Sequence, residues 1–184
     1  MGAMKPLVQE TKDVLRDKFT AANDTGWVLG LAAREGWERA NRSYLEAMRQ
    51  RGGEEMAALM EAAGMSRPAP LDEASQLLEM ALSLWAAGTV VKRLHHKRGE
   101  AVLEIRVVNC PVHAQLEKTG WQGVTACGNW HRRQGWYDAL DVTADDTLLR
   151  EKKWGYGACV ARVRLRETDS AHRLVGPSPA SAAS

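Results

Sequence analysis

The stretch NCPVHAQLEKTGWQGVTACGNWH, residues 109–131, carries two of the chain's three cysteines and two of its five histidines. Their spacing reads C-x2-H, then 13 residues, then C-x3-H. Cys110 follows an apolar-alternating run ending at Val108 and precedes Pro111, which suits the first position of a helix. A thiol at that junction faces free backbone N–H groups and a helix dipole, which favour the thiolate. His113, in the first turn, is then a candidate base or proton donor. CGNWH repeats part of the arrangement, with Cys127 at a second predicted helix start and His131 one turn on. Cys110, His113, Cys127 and His131 are thus the candidate catalytic residues, although no oxyanion donor or orienting acid stands out beside them.

Two other readings compete with thiol catalysis. Cysteine and histidine are the preferred ligands of zinc, and steps of two or three residues are common in its tetrahedral sites. Against this, the 13-residue gap spans a predicted helix and Trp121 rather than a tight knuckle. Free cysteine is also among the most buried residue types, so the cluster can be packing. No cofactor is expected and no metal ligand set is assigned, zinc on these Cys and His pairs being the alternative.

The elements that must position the cluster fall into two halves. Apolar residues recur at three and four in the first: Leu7, Val8, Val14, Leu15 and Phe19, then Val28, Leu31, Trp37, Tyr44, Leu45 and Met48. The second stripe predicts one helix from about Trp27 to Gln50, stopped by the RGG at 51–53, with a short third helix through Met56, Leu59 and Met60 ending at Gly64. After the SRPAP loop at 66–70, Leu71, Ala74, Leu78, Ala81, Leu82 and Trp85 predict a fourth.

From residue 89 the period becomes 2. TVVKRLHH and AVLEIRVV flank a KRGE turn, with Leu103, Ile105 and Val107 on one face and Glu104 and Arg106 on the other. A second pair, TLLREKK and ACVARVRLR around WGYG, puts Cys159, Ala161, Val163 and Leu165 on one side. Pro111–Lys118 and Asn129–Leu140 read as helices between the pairs. The predicted fold is α+β: a helical N-terminal half packed on a small antiparallel sheet.

At 184 residues, 45% hydrophobic and 26% charged, the chain suits one domain, expected over residues 5–170. MGAM at 1–4 reads as a cloning scar and residues 171–184, rich in Pro, Ser and Ala, as a disordered tail. A net charge of +2 gives no field to draw in nucleic acid or an anionic membrane. There is no run of roughly 18 apolar residues and no secretory pattern, so a cytoplasmic location is expected. Three cysteines do not suggest a disulfide framework.

NCP at a strand end, ACGNW some 16 residues on and GYGAC before the last strand resemble the family of L-2-amino-thiazoline-4-carboxylic acid hydrolases. The resemblance covers about residues 100–166 through Cys110 with Pro111, Cys127, and Gly155 with Cys159. It departs where the family commonly carries an acidic residue soon after the middle cysteine and this chain has Gly128, Asn129, Trp130 and His131. It implies hydrolysis of a C–N bond in a ring or amide of a small-molecule substrate. The alternatives are a non-catalytic small-molecule module, in which Trp121, Trp130, Trp154 and Tyr156 wall an apolar pocket and the cysteines are packing, and a zinc-stabilised interaction domain; with the aromatic residues, Cys159 is a candidate ligand-binding residue. Neither nucleic acid nor membrane is expected as a partner, and the oligomeric state is open.

Overall fold

The computed structural model describes residues 6–21, 26–65, 71–97, 99–119 and 127–167. The expected scar and tail lie outside these residues, as does Trp121. Four helices come first: α1 (Gln9–Ala21), α2 (Gly26–Glu35), α3 (Trp37–Ala62) and α4 (Leu71–Trp85). A hairpin of β1 (Val90–Lys97) and β2 (Glu100–Val107) follows, then α5 (Pro111–Thr119) and α6 (Gly128–Ala139), then β3 (Val142–Arg150) and β4 (Cys159–Glu167). The sheet is antiparallel with strand order β1-β2-β4-β3. The fold is α+β, a helical half packed against one face of a four-stranded sheet.

Side-chain parity decides which face is covered. Leu103, Ile105 and Val107 of β2 stand beside Ala161, Val163 and Leu165 of β4, all buried, with Cys159 packed at the edge of the same cluster. The alternate residues Glu104, Arg106, Arg162 and Arg164 form the outer, solvated face. Phe19, Met56, Leu59, Leu77, Leu78 and Leu82 supply the helical side of the core.

Two expectations about the helices are corrected. The predicted helix from 27 to 50 is two helices, broken at Gly36, whose φ of 82° lies in the left-handed region that glycine tolerates. The RGG stretch does not stop α3, which runs on to Ala62. Gly52 and Gly135 lie where α3 and α6 cross: a Cβ at Gly52 would overlap the Arg132 carbonyl, and one at Gly135 the Arg49 carbonyl. Close backbone approach explains glycine there despite a helix-propensity penalty of about 1 kcal/mol each.

β3 starts five residues before the predicted Thr147, at Val142. Its inward residues include Asp146, which interrupts the apolar alternation. Asp146 is held by a two-pronged ion pair with Arg133 (2.7 and 3.0 Å) and by the Tyr137 hydroxyl (2.8 Å), both on α6. No described helix is long and apolar enough to cross a membrane.

Candidate functional site

Two helix starts meet at one end of the sheet. Pro111 opens α5 directly after Cys110, and the His113 backbone N–H donates to the Cys110 Sγ at 3.3 Å. Gly128 opens α6 after Cys127, and a Cβ there would collide with the Tyr44 ring, so the glycine lets α6 begin against α3. The next residue, buried Asn129, donates its side-chain N–H to the Cys110 Sγ at 3.1 Å. Cys159, at the start of β4, accepts the Lys152 backbone N–H at 3.4 Å.

The sequence therefore correctly anticipates convergence: Cys110, Cys127 and Cys159 line one cavity, with His113 and Asn129 beside them and Val112 and Leu116 as apolar wall. Its volume is about 40 Å³, room for a water or a few carbon atoms. His131 and Trp130 are not part of its lining. Trp130 instead donates to the Asp146 carbonyl at 3.0 Å and meets the His131 ring edge to face at 4.9 Å. Partial burial, then Arg49, push the His131 imidazole below its usual range.

Burial works against the expectation that Cys110 is an activated nucleophile. Only 6% of Cys110 is exposed, and desolvation raises its thiol to about 11. The His113 N–H and the Asn129 amide pull in the opposite direction but do not overcome it. Burial also raises Cys159. Neither ring nitrogen of His113 has a hydrogen-bond partner among the described residues, and Glu117 lies 3.9 Å from Nδ1, beyond hydrogen-bond reach. Among the described residues the imidazole thus makes no hydrogen bond to a thiol through which it could take a proton directly. Among the described residues, no group of three or more His, Cys, Asp or Glu side chains is arranged to hold a metal.

Among the described residues, the expected aromatic wall does not form at this cavity. Trp154 is 62% exposed and Tyr156 47% exposed, both outside this cavity. Sequence reasoning missed Asn129 and Tyr44. Each leaves a buried oxygen without a hydrogen-bond partner among the described residues, Asn129 Oδ1 and Tyr44 Oη, near the thiols. The only signal for Asn129 was its position just after CG at a helix start.

These features give a first prediction. In a chain whose other two cysteines are serine, alkylation of Cys110 should be slow at neutral pH and should rise with an inflection near 11. Because the folded value is raised, the thiol's contribution to stability is complete below the free-thiol value of about 8.5 and is lost as pH climbs through the folded value. An inflection at or below the free-thiol value would restore the activated thiol.

The sequence matches no protein-family model and no curated protein. Among solved structures, the chain is similar to trafficking protein particle complex subunit 3 from Naegleria fowleri, crystallised covalently bound to palmitic acid. The TM-score is 0.53 at 12% identity, over 86% of this chain and 96% of that one. At this identity the likeness establishes a shared α+β fold. It overturns the resemblance to the thiazoline carboxylate hydrolases, and with it the C–N hydrolase reading. The small-molecule module and zinc-domain alternatives gain no support, and a partner set limited to small molecules is corrected by a similar chain that is a subunit of a multiprotein particle.

Proposed function

We propose that this chain is a non-enzymatic assembly module that joins protein partners in the cytoplasm. The observation that carries this reading is the fold correspondence over nearly the whole of both chains with a subunit of a trafficking particle. The buried, protonated thiol and the idle His113 imidazole are consistent with a scaffold rather than a catalyst.

A second reading concerns Cys110 and is favoured by its place beside Val112 and Leu116 in an apolar cavity, together with the palmitic acid held covalently by the similar subunit. In this reading the Cys110 sulfur displaces the thiol of an acyl thioester donor, its proton leaving with that thiol, and an acyl chain becomes thioester-linked. A cavity of about 40 Å³ must open to admit such a chain.

One purification tests both. The full chain, isolated natively from its own cells, is expected to elute as a complex of fixed stoichiometry, with itself or with other protein chains. A strict monomer at every concentration overturns the assembly reading. Intact mass should show one acyl increment that hydroxylamine removes and that Cys110→Ser lacks; an unmodified chain overturns the second reading alone.

A further inference from the structure

The outer face of the sheet carries a groove that plays no part in the cysteine site. It crosses three strands at the end where β4 begins, and its volume is about 410 Å³. Register places Arg106 of β2 and Arg150 of β3 opposite Val160 of β4, one on each side. Neighbouring strands lie about 4.8 Å apart, so the two arginines flank an apolar floor at roughly 10 Å. Arg162 enters from the adjacent row of β4. The Arg150 guanidinium lies 5.8 Å from the centre of the half-exposed Tyr156 ring, and the exposed Leu149 adds apolar surface.

Charge is unbalanced here. Three arginines line the groove against one carboxylate, Glu104, which stands 3.8 Å from Arg162. Neither Arg106 nor Arg150 pairs with a carboxylate among the described residues. Gly157, on the rim, leaves open space: a Cβ there meets nothing within 4 Å, and its φ is not in the left-handed region.

We infer that this groove docks an extended acidic segment of a partner protein, two carboxylates on one face of that segment pairing with Arg106 and Arg150 across the Val160 floor. The inference rests on the assembly reading only in taking the partner to be a protein. Carboxylates two apart on an extended chain point the same way and lie about 7 Å apart, within reach of two flexible arginines 10 Å apart. A single aromatic ring and a chain charge of only +2 do not make a base-stacking track, which disfavours single-stranded nucleic acid. The concavity favours a peptide over a flat lipid surface.

The test uses the full chain and a fluorescein-labelled peptide of repeating Glu-Glu-Leu, followed by anisotropy at low and at about 0.15 M salt. Saturable, salt-sensitive binding is expected, weakened about tenfold by Arg106→Ala and again by Arg150→Ala, as for loss of a charge-assisted contact. Gly157→Leu should abolish binding by filling the groove while leaving the charges and the thermal unfolding curve in place, and Glu104→Gln should strengthen it. No saturation at millimolar peptide, equal binding of a Lys-Lys-Leu peptide, or indifference to all four substitutions would overturn the inference. So would binding to phosphatidylserine-containing vesicles that survives Gly157→Leu while the peptide does not bind. Loss of peptide binding with native complexes intact sinks this inference alone, because the assembly reading is judged by those complexes.

Discussion

Replacing Arg132 by methionine is expected to lower stability by about 3–5 kcal/mol, measured by urea unfolding at neutral pH. Arg132 is 1% exposed and its partner Glu55 is fully buried. The guanidinium donates through Nε to Glu55 at 2.8 Å and through Nη2 to both Glu55 and the Phe19 carbonyl, the latter at 2.7 Å. The Trp136 indole also donates to Glu55, at 3.1 Å, and the Trp85 ring lies 5.7 Å beneath the Arg132 guanidinium. Four helices therefore meet at one ion pair. Methionine matches the volume but leaves a carboxylate in a dry core, held by Trp136 and more distantly by Arg51 at 3.7 Å.

The pH dependence of that variant has a definite sign. Burial raises the Glu55 carboxyl, while the Arg132 and Trp136 contacts lower it. Without Arg132 the raising effect stands with less opposition, and the folded state holds its proton more tightly than the unfolded chain does. Stability is then complete below the unfolded value of about 4.3 and is lost as pH rises through the folded value. The methionine variant should be closest to wild type in acid and furthest from it above neutrality. Adding Glu55→Leu should recover most of the loss, since an apolar pair of similar volume often equals a buried ion pair. A double variant as unstable as the single one would show that the network contributes more than compensation of its own charges.

The second large effect is expected at the crossing of α3 and α6. Gly135→Ala should cost about 3 kcal/mol or more, because the new methyl meets the Arg49 carbonyl and the Gly53 backbone, and main chain on both sides cannot rotate away. Gly52→Ala should behave similarly against Arg132. Gly53→Ala is the internal control: its Cβ would find the Gly135 oxygen at an ordinary 3.8 Å, so the better helix propensity of alanine should leave stability unchanged or higher by up to about 1 kcal/mol. Equal losses at Gly53 and Gly135 in thermal unfolding would reject close backbone approach as the reason for these glycines.

These positions also show what a sequence can and cannot convey. Period-2 alternation correctly placed Leu103, Ile105, Val163 and Leu165 in the core, because a slip of one residue would expose the whole set. Gly52 and Gly53 read as a stop because local propensity disfavours them in a helix, and the partner backbone that outweighs this local preference is some 80 residues away. Asp146 hid the first half of β3 because its neutralising partners, Arg133 and Tyr137, lie on a different element. At the site, the position of Cys110 before Pro111 was legible and its hydrogen bond from His113 followed. The depth of burial, to which Asn129 of α6 and Val112 and Leu116 of α5 contribute, was not legible, and it holds the thiol's pKa high. A Cys-Pro pair at a strand-to-helix junction is a way to begin a helix, so the same letters can recur in proteins of unrelated activity.

The strand order has a consequence for how the chain comes to be made. β4 is last in sequence but lies between β2 and β3. During synthesis the helices and the β1-β2 hairpin can form from local contacts, yet one edge of β2 and all of β3 wait unpaired until residues 159–167 emerge. Pairing β2 with β4 joins segments some 60 residues apart, a costly loop closure that places sheet completion late. Until then the nascent chain exposes open strand edges, and that interval, rather than the finished molecule, is where a chaperone would have most to protect.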